Sequence, residues 1–124
     1  MKTRVFFFGD SFKTMGHSLL VTNLEDLDFV VQICTRERKS AIALLYINGC
    51  PYCERALVPF KLAAQESSIL FVHVNCTAQK ATCKGRFGIS TFPATLRFSR
   101  GMFERVDPLE RTVQGYTALA RAFH

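Results

Sequence analysis

The sequence predicts an α/β domain in which a central mixed β-sheet carries helices on both faces, with a short N-terminal extension. Three observations predict it. Residues 41–47 and 69–75 are bounded apolar runs, short enough for strands and without the polar alternation of a strand that has one wet face. Segments with apolar residues at helical spacing flank these runs. Near the end, residues 94–98 alternate apolar with polar, Ser99-Arg100-Gly101 turns the chain, and residues 102–106 return as a second strand, a hairpin pattern. Alternating strands and helices imply a largely parallel sheet, to which the hairpin adds antiparallel strands.

Taken in order, residues 1–17 form the extension and residues 18–124 the domain. In the extension, residues 5–8 fit a short strand, while Gly9, Asp10, Ser11 and Gly16 fit a loop. It is expected to pack loosely or add an edge strand, the alternative being a docking arm for a larger protein assembly. Residues 18–22 read as a strand, and Asn23 as the N-cap of a helix with Glu25 and Asp26 in its first turn, where the helix dipole favours acid. Leu27, Val30, Val31 and Cys34 then mark its buried face; Cys34 reads as a small buried hydrophobe.

After the apolar run at 41–47 comes Cys50-Pro51-Tyr52-Cys53, followed by Ala56, Leu57, Phe60, Ala63 and Ala64 at helical spacing. Strand, Cys-x-x-Cys, helix is an arrangement suited to dithiol–disulfide exchange. A helix N-terminus offers unpaired N–H groups and a positive dipole end, both favouring the attacking thiolate. Pro51 fits the first turn, where its missing N–H costs nothing. Pro59 is expected to remove a hydrogen bond and kink the helix, which frays near residues 65–68. His73, inside the next strand, reads as a structural imidazole. Residues 77–86 fit a short helix closed by Gly85 or Gly88. The last helix spans about 112–123, with Tyr116, Leu119, Ala120 and Phe123 on one face.

Composition narrows the function classes. Sixteen Lys and Arg against ten Asp and Glu give a net charge of +6, but the cations are scattered along the chain, without a basic helix or aromatic–basic repeat. No nucleic-acid partner is expected. The longest apolar run is far short of the roughly 20 residues a membrane span requires, and residues 1–8 make a poor signal peptide. Of the five cysteines, the simplest accounting groups Cys50 with Cys53 and Cys76 with Cys83, leaving Cys34.

The element order, the placement of the dithiol, and residues 87–96 (Phe-Gly-Ile-Ser-Thr-Phe-Pro-Ala-Thr-Leu) resemble the thioredoxin superfamily, and within it a protein disulfide isomerase-like domain with a glutaredoxin-type Cys-Pro-Tyr-Cys motif. The resemblance covers about residues 18–124. It implies that Pro93 is a cis-proline set against the dithiol, leaving Phe92 backbone groups to hold substrate. It implies a structural disulfide between Cys76 and Cys83, and an Arg111 that tunes a cysteine pKa. Cys50 would be the nucleophile and Cys53 the resolving thiol, with Pro51 and Tyr52 controlling access. The partners would be protein thiols and disulfides. No cofactor beyond the redox-active disulfide and no metal would be needed; the compartment would be the endoplasmic reticulum or another oxidising lumen, although no entry or retention signal is visible. Two positions depart from the family: Gly49 replaces the usual Trp, and Leu44 the usual buried acid, so Cys53 would depend on water, Arg111 or Glu54. The expected function is thiol–disulfide exchange in proteins, with weak reductase activity. The alternatives are a cytosolic thioredoxin- or glutaredoxin-like reductase, a non-enzymatic subunit of an assembly, and a zinc site built from Cys50, Cys53, Cys76 and Cys83.

Overall fold

The computed structural model describes residues 7–8, 11–12 and 19–123. Phe7–Phe8 (β1) and Ser11–Phe12 (β2) pair antiparallel as a sheet of their own. They add no edge to the main sheet; the rest of the extension, and Ser18, lie outside the described residues. The domain follows as Leu19–Val21 (β3), Leu24–Arg36 (α1), Ala41–Tyr46 (β4), Pro51–Ala64 (α2), Leu70–Asn75 (β5), a 3-10 turn at Thr77–Gln79, Lys80–Phe87 (α3), Ala94–Ser99 (β6), Met102–Arg105 (β7) and Val113–Ala122 (α4).

The five-stranded sheet has the order β3-β5-β4-β6-β7. β3 and β4 run parallel to β5, while β6 runs antiparallel to β4 and β7 to β6. β4 is its centre, and each of its residues is buried. Side chains alternate across a strand, so Ala41, Ala43 and Leu45 join the core beneath α1 and α3, while Ile42 and Leu44 join the core beneath α2 and α4. In the second core Phe60 packs on Phe71 at 4.7 Å between ring centroids and edge-on to Tyr116 at 5.2 Å. Burial of three large rings with that geometry makes this core a main source of apolar stabilisation.

Local signals fix the helix ends. Asn23 caps α1, its Oδ1 accepting the Asp26 N–H at 2.8 Å, and Thr112 caps α4, accepting the Gly115 N–H at 3.0 Å. Gly88, at φ 64°, closes α3, and Gly85 lies inside it. α2 continues through Pro59 to Ala64. Its buried face is Cys53, Ala56, Phe60, Ala63 and Ala64, with Leu57 half-buried at the margin. Among the described residues, no helix is long and apolar enough to cross a membrane.

Candidate active site

β4 ends at Tyr46, and four residues later Cys50 caps α2. The Cys50 backbone is extended (φ −106°, ψ 110°), which turns its Sγ back over the first helical turn to accept the Cys53 N–H at 3.2 Å. Pro51 occupies the first helical position. Cys50 is partly exposed and Cys53 is buried, so the pair divides into one sulfur that an outside group can reach and one that it cannot. Burial pushes the Cys53 thiol up to about 11, helped by the Cys50 side chain; the Ile47 backbone and the Arg111 cation oppose the rise. Cys53 is therefore a neutral thiol near pH 7 in this dithiol state.

Across from the dithiol, the Phe92–Pro93 peptide bond is cis. The Cys50 thiol faces the Phe92 carbonyl oxygen at 3.9 Å. Pro93 is buried and Phe92 half-buried. Tyr52 stands out from the helix at 62% exposure, with the Arg55 guanidinium 4.8 Å from its ring centre. Cys50, Cys53, Tyr52, Phe92 and Pro93 thus share one end of the sheet, and Arg111 is near enough for its charge to act on Cys53. Glu54 is exposed. Leu44 is fully buried in the core beneath α2, so apolar packing fills the place where the resemblance expects a proton relay.

Two features hold this end in shape. Gly49 has φ 74°, a left-handed backbone that suits glycine and strains a bulky residue. Its place therefore belongs to the loop conformation as well as to the missing indole. Gly115 is required by contact: a Cβ there would collide with the Glu110 carbonyl, so the segment bearing Arg111 folds closely onto the start of α4.

Residues 48, 75 and 77 were not expected in the site, yet they tie it together. The Asn48 N–H donates to Thr77 Oγ1 at 2.9 Å, Asn75 Nδ2 donates to Asn48 Oδ1 at 3.0 Å, and the Thr77 N–H donates to Asn75 Oδ1 at 3.0 Å. The signal was the pairing of Tyr46 with Asn75 in the parallel register, which becomes visible only when the two strands are aligned.

Cys76 and Cys83 lie side by side, their side chains close enough for each to act on the other. Both are buried; desolvation raises both, and each perturbs the other's ionisation. Among the described residues no three His, Cys, Asp or Glu side chains converge as metal ligands. His73 is buried, stacks on Tyr46 at 6.1 Å, and is held down to about 4 by burial and by Lys61, a neutral core imidazole.

The thioredoxin fold is shown by solved structures. A J-Trx1 fragment of ERdj5 matches with a TM-score of 0.69 at 19% identity, over 83% of this chain and 49% of that one. Schistosoma mansoni thioredoxin matches at 0.70 and 17% identity, over 90% and 99% of the two chains. The first thioredoxin domain of mouse protein disulfide-isomerase A4 matches at 0.67 and 16% identity, over 89% and 77%. The chain spans about half of the ERdj5 fragment and 30% of human ERp44, another match. No protein-family model matches, and no curated protein matches by sequence.

Proposed function

We propose that the protein is a thiol–disulfide oxidoreductase acting on protein substrates, with Cys50 as nucleophile and Cys53 as resolving thiol. The observation that carries this reading is the accessible Cys50 sulfur at the N-terminus of α2, accepting the Cys53 N–H and facing the Phe92 carbonyl beside Pro93. A substrate segment lying extended along Phe92 would present its sulfur to Cys50. The Cys50 thiolate attacks one substrate sulfur, the substrate S–S bond breaks, and the departing thiolate takes a proton. Cys53, once deprotonated, attacks Cys50 Sγ in the mixed disulfide and releases the second substrate thiol. Two electrons pass to the substrate, and the protein is left with a Cys50–Cys53 disulfide; oxidation of a substrate dithiol is the same path reversed.

The buried Leu44 supports a finer assignment. Without an acid beside Cys53 to take its proton, resolution is slow near neutral pH, and a slowly resolving dithiol serves isomerisation or oxidation better than reduction. The catalytic unit is residues 18–124, with residues 1–17 as an appendage to it. The Cys76–Cys83 pair closes as a structural disulfide when the protein works in an oxidising lumen. Parallel assays of insulin reduction and of refolding of a scrambled disulfide protein test the assignment. Isomerisation with slow insulin reduction is expected; reduction at the rate of an ordinary thioredoxin would overturn the finer assignment. Activity in neither assay would overturn the enzyme and favour the non-enzymatic subunit.

A further inference from the structure

At the opposite end of the sheet a groove of about 960 Å³ opens between the α1–β4 connection and the tip of the β6–β7 hairpin. Arg38, Lys39, Arg97 and Arg100 line it, together with the hydroxyls of Ser40 and Ser99, and among the described residues no Asp or Glu lines it. Arg97 is held in place: it pairs with Glu104 at 3.1 Å and its guanidinium lies 4.3 Å from the centre of the Phe123 ring. Its Nε is buried with no hydrogen-bond partner among the described residues.

Two of these arginines occupy backbone positions that arginine fits poorly. Arg38 follows the C-cap of α1 at φ 56°. The helix closes there through Arg38 N–H to Thr35 O at 3.2 Å and Lys39 N–H to Cys34 O at 2.8 Å, a closure whose left-handed residue is normally glycine. Arg100 has φ 55° and Gly101 φ 76°. They are the two-residue connection between the paired Ser99 and Met102, a turn in which Asn, Asp or Gly is favoured at the first position. Gly101 lies against Thr35, so the hairpin tip meets the end of α1 and the two arginines reach the same groove. A side chain with a Cβ costs energy at each position. A cation opposite the α1 dipole does not explain Arg38, because Arg36 already provides one in the last turn.

We infer that the groove binds a small ligand carrying two or more phosphate groups. Guanidinium forks pair with phosphate oxygens in bidentate fashion, and serine hydroxyls add donors. Arg38 and Arg100 present two guanidinium forks to the groove from either side of it, which matches a ligand with more than one phosphate. The volume falls within the roughly 300–1,000 Å³ of small-molecule sites. This inference does not depend on the dithiol chemistry.

Calorimetric titration of the full chain with sodium tripolyphosphate at ~0.15 M salt tests it. Saturable one-to-one binding is expected, weakening as salt rises and unchanged in Cys50→Ser. Arg38→Gly and Arg100→Gly should each weaken binding by about tenfold or more, while neither lowers the melting temperature, since glycine fits both backbones. Absence of saturable binding would overturn the inference, as would binding that survives both substitutions. Loss of binding with a lowered melting temperature in both variants would show that the arginines serve the fold. Binding of a single-stranded oligonucleotide that tripolyphosphate does not compete would assign the groove to nucleic acid instead.

Discussion

The two ends of β4 meet the same backbone demand in different ways. At the dithiol end the left-handed residue before Cys50 is Gly49; at the groove end Arg38 and Arg100 take that backbone alongside Gly101. Glycine at such a position serves the path of the chain. Arginine at such a position is retained against the path of the chain, so its side chain carries the purpose. In the proposed function the dithiol end would draw its chemistry from two sulfurs placed by a helix terminus and would need its surrounding loop only to be compact. The groove end has no helix terminus to supply donors and takes its donors from turn residues.

The largest effect should come from Cys50→Ser. We expect disulfide exchange to fall by at least about 10³-fold, because the serine hydroxyl is a far weaker nucleophile without an adjacent base. Insulin and scrambled-substrate assays read this, and retained activity would dissolve the contrast between the two ends. Next in size is a pair of opposite substitutions. Gly49→Trp should cost about 1–3 kcal/mol, since a bulky residue enters a left-handed backbone. Arg100→Gly should be neutral or stabilise by up to about 1 kcal/mol. Urea denaturation midpoints of both variants measure this, and equal destabilisation would mean that the two backbones are not alike.

Proton dependence separates the ends further, since arginine is a fixed charge in this range. His73 is neutral in the folded protein, held down to about 4 against an ordinary 6.5. Its contribution is fully present above pH 6.5 and is lost as pH falls toward 4, because the unfolded chain then binds a proton that the folded chain refuses. His73→Phe should flatten the fall in stability over that window by on the order of 2 kcal/mol, read from denaturation curves at several pH values. Smallest is Arg111→Gln. Removing the opposing cation should move Cys53 further above its present value of about 11 and slow mixed-disulfide resolution roughly two- to fivefold near pH 7. Stopped-flow resolution across a pH series measures it; an unchanged profile would remove Arg111 from the site.

What the sequence disclosed follows from the range of each interaction. Asn23 and Pro51 act within one helical turn, so their roles at α1 and α2 were legible. The burial of β4 was legible because every residue in that run is apolar or nearly so, and that of β5 because Leu70, Phe71, Val72 and Val74 outweigh His73. Leu57 shared the helical period of α2 and still ended at the margin of the core, because the period defines a face and not its width. The clamp of Asn48, Asn75 and Thr77 depends on how β4 aligns with β5, which no local pattern encodes. The groove was hidden for a stronger reason. Its cations at 38, 39, 97 and 100 look scattered along the chain, and they gather only because a helix closure and a hairpin tip meet beside Thr35.

The length of β4 sets how far these two ends can sense each other. Six residues at about 3.3 Å each make a rod of about 20 Å, more than twice the roughly 8 Å over which charge is felt in physiological salt. On the proposed reading, an anion held in solvent among the arginines would have only a weak electrical effect at Cys50. On that reading the protein would hold one molecule at its base while its sulfurs exchange electrons with another at its tip, like a tool whose handle does not change its edge.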